Sequence, residues 1–162
     1  MDGVLNSVQS ATMHYDFLTN ASNLCTFKEP PVSDYKASEF CPVAVSNLNY
    51  ILKELPELKV VVSSFWRWGK TLDELKEIFY YLGLPAERII SKTPILTGSH
   101  RGEEIQNWLD NQTMLEGEIK YAIIDDDTDM LENQLPNFFN TDNFHGLQYR
   151  DALKVIGHFK AD

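Results

Sequence analysis

The sequence predicts an α/β fold in which a mainly parallel sheet is covered by helices on both faces. Short continuous apolar runs alternate along the chain with segments of helical periodicity. That alternation is typical of parallel strands joined by crossover helices, because such strands are buried on both faces. The chain has 162 residues, which is enough for one core, so we expect a single domain over residues 1–162.

The first half of the chain begins with an irregular segment and then becomes regular. Residues 8–40 have weak periodicity and many Ser, Thr and Asn, so we expect an irregular insert. Apolar residues recur at helical spacing between Pro42 and Pro56, which predicts a helix. Residues 58–63 form a β-branched run that predicts a buried strand. The Thr71-Leu-Asp-Glu74 pattern then predicts a capping box at the start of a second helix.

The second half continues the alternation of strands and helices. Further strands are predicted at residues 88–91, 121–124 and 137–140, and helices at residues 101–109 and 151–159. We expect the last helix to bury Ala152, Leu153, Val155, Ile156 and Phe159. Ligands of parallel α/β sheets bind beyond the carboxyl ends of the strands. Ser63 and Asp125, which both follow predicted strands, are therefore expected at one edge of the sheet.

Residues 121–129 read Tyr-Ala-Ile-Ile-Asp-Asp-Asp-Thr-Asp, so an apolar strand runs directly into a group of carboxylates. An unpaired carboxylate costs several kcal/mol to desolvate, so these acids must lie at the strand exit, in water or around a cation. Mg²⁺ prefers oxygen ligands and usually binds one or two carboxylates together with a phosphate. The segment predicts either a magnesium site or a solvated acidic turn.

Composition limits the classes of partner. The net charge of −10 disfavours broad, sequence-independent nucleic-acid binding, which requires a basic surface, but allows a small phosphorylated substrate or a nucleic-acid terminal phosphate. Cys25 and Cys41 fit no metal or redox spacing, and no apolar run is long enough to span a membrane. Without a secretory signal at the N-terminus, the expected location is cytoplasmic. The sequence contains no signal of oligomeric state.

Three segments together resemble the haloacid dehalogenase (HAD) superfamily of phosphohydrolases: residues 2–7, residues 60–67 and residues 123–126. The similarity is greatest to small phosphatase-like domains of bacterial and phage proteins, including those attached to RNA-repair enzymes. It extends to residues 101–109 and 141–147. The resemblance implies a Rossmann-like, three-layer α/β/α fold with residues 8–40 as a minimal cap.

The resemblance also implies catalytic roles. Members carry an Asp-x-Asp pair in which the first Asp attacks phosphorus to form an aspartyl-phosphate and the second transfers a proton. Asp2 matches the second Asp, and Gly3 matches the turn beneath the phosphate. Ser63 matches the hydroxyl that binds the transferring phosphoryl group, with Ser64 as the second choice.

Basic residues and metal ligands follow from the same resemblance. Arg101 is our choice for the cation that neutralises the phosphoryl oxygens, ahead of Lys92 and Lys70. Arg67 either binds the phosphate or leaving group, or stacks between its tryptophan neighbours. The Mg²⁺ ligands implied by the resemblance are Asp2, Asp125 and Asp126, with Asp129 as an additional or outer ligand.

One departure from the family pattern concerns the nucleophile. The family pattern places it two positions before Asp2, and we expect the first central strand that carries it to be truncated in this sequence. We expect the natural protein to begin upstream of Met1; otherwise the chain is an inactive member. The leading hypothesis is a Mg²⁺-dependent phosphohydrolase. The alternatives are a non-catalytic metal- and phosphate-binding module, or a nucleic-acid-end phosphatase in repair.

Overall fold

The computed structural model describes residues 4–5, 40–116 and 119–161, without the side chains of residues 113–116. Its helices are α1 (Pro42–Glu54), α2 (Leu72–Tyr81), α3 (Arg101–Glu116) and α4 (Tyr149–Lys160). Its strands are β1 (Val60–Val62), β2 (Ile89–Lys92), β3 (Ile123–Asp125) and β4 (Phe138–Asn140). Short 3₁₀ helices cover Phe65–Arg67, Ala86–Arg88 and Glu132–Asn137.

The strands pair in parallel, as the sequence predicts. β1 pairs with β2 and β3 pairs with β4, and each pair is joined by a connection that contains helical turns. This confirms the α/β class with parallel pairing. The described strands form two separate pairs rather than one continuous sheet, so the three-layer arrangement stays a prediction. The proposed insert lies outside the described residues except for Phe40, which is buried.

Local sequence signals place the helices well. Thr71 Oγ1 accepts a hydrogen bond from the Glu74 amide at 3.2 Å, and the Glu74 carboxylate accepts one from the Thr71 amide at 2.6 Å, which confirms the capping box. Gly83 follows α2 with φ of 70°, a conformation that favours glycine. Helix α3 continues well past its predicted end at Leu109, because no Gly or Pro interrupts residues 110–116.

The main core lies between α1, α4 and the strands. Ala44, Ile51 and Leu52 of α1 pack in one cluster with Ala152 and Val155 of α4. The expectation that Leu153 is buried is wrong: its side chain is 45% exposed, because it falls outside the inward stripe of α4. No helix in the described ranges is long and apolar enough to cross a membrane.

Two helical glycines differ sharply in their surroundings, and this difference yields a stability prediction. A Cβ added at Gly102 would lie 2.7 Å from the Leu131 amide nitrogen and 2.9 Å from Met130 Cα, whereas one added at Gly157 meets nothing within 4 Å. We expect Gly102→Ala to lower the free energy of unfolding by about 1–3 kcal/mol, because backbone must shift to admit the methyl group.

Gly157→Ala is the matched control for that substitution. It should raise the free energy of unfolding by about 0.5–1 kcal/mol, because alanine restricts the unfolded chain and is the better helix former. Urea unfolding of the two variants measures both effects. Equal effects of the two substitutions would show that α3 does not approach residues 130–131 closely in solution.

Candidate active site at the strand ends

Arg67 joins the ends of the first two strands to helix α3. Its side chain is 1% exposed. The guanidinium donates to the carbonyls of Ser63 and Ser64 after β1, and to those of Thr93 and Pro94 after β2. One side chain therefore donates to carbonyls at the exits of both strands, and the Ser64 carbonyl also accepts from the Arg67 amide at 3.1 Å.

The charge of Arg67 is balanced by Glu104 in the first turns of α3. The Glu104 carboxylate is buried; one oxygen accepts from the Arg67 guanidinium, and the other accepts from the Leu96 amide at 3.0 Å. Burial lowers the pKa of Arg67, while the adjacent Glu104 carboxylate opposes that shift. The pair fixes α3 against both strand ends.

Arg101, at the start of α3, reaches the end of β3. Its Nη1 donates to Asp125 Oδ2 at 3.0 Å, and both side chains are at least nine-tenths buried. Its backbone amide donates to Asp129 Oδ2 at 2.9 Å, which places a carboxylate at the positive end of the α3 dipole. Its guanidinium also lies 5.4 Å from the centroid of the Phe65 ring. Arg101 therefore contacts residues that follow two different strands.

Asp125 is held firmly at the last position of β3. Its Oδ1 accepts from the Asp127 amide at 3.2 Å, and its carbonyl accepts from the Thr141 amide at 2.9 Å. The Asn140 side chain, at the end of β4, donates to the carbonyls of Asp125 and Asp126 at 3.2 and 3.0 Å. The exits of β3 and β4 are thus cross-linked around one buried carboxylate.

The acids that follow β3 have more negative charge than their described partners neutralise. Burial raises the pKa of Asp126, and repulsion from Asp125 and Asp127 adds to this shift. Asp129 Oδ1 is buried and accepts no hydrogen bond from the described part of the chain. A carboxylate oxygen in that state costs about 1–3 kcal/mol unless a further partner is present.

The donor chemistry of these acids fits a divalent cation, but the described residues alone do not form a complete ligand set. Asp125, Asp126 and Asp129 offer oxygen donors, which Mg²⁺ prefers. Within the described residues no group of three His, Cys, Asp or Glu side chains is arranged to hold a metal. Asp2, the third expected ligand, lies outside the described residues, as does Gly3.

The two predicted serines have different environments. Ser64 is buried, and its hydroxyl accepts from the Trp66 amide at 3.3 Å, so it caps the 3₁₀ helix Phe65–Arg67. Ser63 is only partly buried, and its carbonyl is held by Arg67. This geometry favours Ser63 over Ser64 as a hydroxyl that meets a ligand.

Lys92 and Lys70, the other two predicted cations, are connected to each other near the end of β2. Lys92 Nζ donates to the Lys70 carbonyl and lies 3.5 Å from the Arg67 carbonyl.

The guanidinium donors of Arg67 are already occupied by partners within the chain. The geometry of Arg67 therefore favours a role in positioning the strand ends over direct contact with a phosphate.

Glu104 and Phe65 also belong to the site, and neither is among the residues predicted from the sequence. Glu104 has a sequence signal, since it lies four positions before Trp108, on the face that Ile105 and Leu109 turn inward. A carboxylate on an inward face implies a buried cationic partner. Phe65 has no such signal, because its importance depends on a contact with Arg101.

Comparison with known proteins gives one family. The family model described as the HAD domain in Swiss Army Knife RNA repair proteins matches residues 1–152. Neither the curated proteins nor the solved structures include a significant match.

Proposed function

The chain belongs to the family of HAD domains in Swiss Army Knife RNA repair proteins, and from that membership we propose that it is a Mg²⁺-dependent phosphomonoesterase that acts on an RNA terminal phosphate. The observation that carries the proposal is the contact between Arg101 and Asp125 at the carboxyl edge of the strands. It puts a cation for phosphoryl oxygens beside an acid suited to a metal.

The proposed mechanism gives each group a stated role, and Asp2 has two. The Ser63 hydroxyl donates to a phosphoryl oxygen, and its position is fixed because Arg67 holds the Ser63 carbonyl. Arg101 neutralises charge that develops on the phosphoryl oxygens. Asp2 gives a proton to the leaving oxygen and later accepts one from the attacking water. Mg²⁺, held by Asp125 and Asp126 together with Asp2, would supply further charge neutralisation.

Family chemistry proceeds through an aspartyl-phosphate on the first Asp of Asp-x-Asp, while Asp2 occupies the second position. The assay therefore compares the 162-residue chain with an extended chain. The extension adds an apolar strand that ends in Asp, two positions before Asp2. Hydrolysis of p-nitrophenyl phosphate with Mg²⁺ is the first measurement. Phosphorylated oligoribonucleotide ends and mononucleotides follow as substrates.

Asp125→Asn is the decisive variant for this proposal. We expect it to lower kcat/KM of the extended chain by about a hundredfold or more, because it removes a charged metal ligand. Asp127→Asn is the matched control: it removes the same charge from an exposed neighbour and should retain most activity. If the extended chain folds well but hydrolyses none of these substrates, the proposed phosphomonoesterase activity is contradicted. Mg²⁺-dependent phosphate binding without turnover would instead establish a binding module.

A further inference from the structure

Two aromatic side chains next to the candidate site are exposed to solvent. Phe65 is 59% exposed and Trp68 is 54% exposed, and their ring centroids lie 5.7 Å apart. Both belong to the turn that begins directly after the β1 end. Large apolar side chains that stay exposed forgo the favourable free energy of burial. Adjacent exposed pairs therefore often mark a binding surface.

The turn divides its side chains into an inward pair and an outward pair. Trp68 directly follows the 3₁₀ helix Phe65–Arg67, and the 5.7 Å between its ring centroid and that of Phe65 places both rings on one side of the turn. The intervening residues face inward: Trp66 packs against Phe40 with centroids 4.9 Å apart, and Arg67 is buried. The backbone of this turn is thus anchored by Arg67, and the outward aromatic pair stands on a fixed support.

One guanidinium connects the aromatic pair to the acids. Arg101 lies 5.4 Å from the Phe65 ring centroid and, through Nη1, 3.0 Å from Asp125 Oδ2. Arg101 lies over the Phe65 ring, so a ligand whose phosphate is neutralised by Arg101 would have the exposed remainder of Phe65 and the neighbouring Trp68 ring within reach of its nearest substituents. That combination of an anion site and an aromatic face suits a nucleotide.

The charges around the aromatic pair also suit a phosphorylated ligand. Lys92 Nζ donates to the backbone carbonyl of Lys70, two positions after Trp68, and lies 3.5 Å from the Arg67 carbonyl, which brings one ammonium group to this turn. The chain as a whole has a net charge of −10, so the local basic character contrasts with the acidic remainder. Attraction is therefore local, as expected for a short strand end rather than a long duplex.

We propose that Phe65 and Trp68 form a stacking platform for the base of the nucleotide whose phosphate enters the site. The platform rests on the proposed function, since it presupposes that Arg101 receives a phosphate. It is sequence-tolerant, because every base presents a π-face to an aromatic side chain. It reads single-stranded ends, whose bases are free to leave their own stack.

The test compares phosphorylated ligands that differ only by a base. The 162-residue chain is titrated calorimetrically, in the presence of Mg²⁺, with ribose 5-phosphate and with adenosine 5′-monophosphate. We expect the nucleotide to bind about 5- to 100-fold more tightly, the range that one base–aromatic stack supplies. Trinucleotides with a 3′- or 5′-terminal phosphate are then compared with adenosine 5′-monophosphate. Tighter binding of a trinucleotide indicates that the site receives a strand end, whereas equal affinity indicates a free mononucleotide.

Variants locate the preference. Trp68→Leu and Phe65→Leu should each lower the ratio of the two affinities by at least about threefold, because a leucine cannot stack on a base. Tyr80→Leu removes an aromatic ring that is 72% exposed on α2 and should leave the ratio unchanged. Circular dichroism confirms that each variant is folded.

The outcomes separate the platform from the phosphate site. If both probes bind with equal affinity in a Mg²⁺-dependent manner, the platform is overturned and the proposed function stands. If neither probe binds, both are overturned. A nucleotide preference that survives Trp68→Leu and Phe65→Leu also overturns the platform, because the base must then contact other residues.

Discussion

Arg67→Met should lower the free energy of unfolding by about 3–5 kcal/mol, the cost of leaving one member of a buried ion pair without its partner. Glu104 would remain buried with only the Leu96 amide as a described partner. The carbonyls at the ends of β1 and β2 would lose the donor that joins them. Urea unfolding followed by circular dichroism measures the loss.

Three controls give that measurement its meaning. Arg150→Met removes an arginine whose side chain is 74% exposed and should change stability by less than about 0.5 kcal/mol. Arg67→Lys keeps the charge but has no planar fork, so its loss should be intermediate. Arg67→Met combined with Glu104→Met should cost less than the sum of the single changes, because the unpaired carboxylate is gone. A change below about 1 kcal/mol for Arg67→Met contradicts the buried pair.

Arg101→Met should change catalysis and metal affinity in opposite directions. We expect kcat/KM of the extended chain to fall by about 10²–10³-fold, because a donor that stabilises transition-state charge is removed. The same change removes a cation from the neighbourhood of Asp125, so Mg²⁺ should bind about threefold to tenfold more tightly. Steady-state kinetics and calorimetric titration with Mg²⁺ measure the two effects.

The sign of the Mg²⁺ effect distinguishes two roles of Arg101. If the guanidinium only holds Asp125 in place, its removal should weaken both metal binding and hydrolysis. Arg101→Lys is the matched variant: it keeps the positive charge, so Mg²⁺ affinity should stay near that of the unchanged chain. Tighter Mg²⁺ binding in Arg101→Lys would contradict the electrostatic explanation.

Local patterns in the sequence were sufficient to place most elements of the fold. The Thr71 and Glu74 capping box acts within one turn, so its signal is contained in four residues. Strand β3 begins two residues later and ends one residue later than predicted, at Asp125, and the carboxylates that follow terminate the apolar run. Parallel pairing followed from the alternation of elements, which is also a local property.

Contacts between distant residues could not be predicted in the same way. Arg67 and Glu104 are 37 positions apart, and the partners of Arg67 on the β2 side are backbone carbonyls that have no sequence signature. The sequence therefore left Arg67 open between a phosphate ligand and stacking on its tryptophan neighbours, because its burial depends on the tertiary structure. The prediction that Leu153 is buried was wrong for a related reason: the width of the buried stripe on α4 depends on the elements that pack against it.

The hydrogen bonds of Arg67 also affect the entropy of ligand binding. Segments that follow strands are usually mobile, and a ligand that immobilises them loses part of its affinity to ordering. Here the backbone at residues 63–64 and 93–94 is already tied to a buried side chain. A ligand that binds at this edge would therefore meet a preorganised surface, and its affinity would lose little to the ordering of these backbone segments.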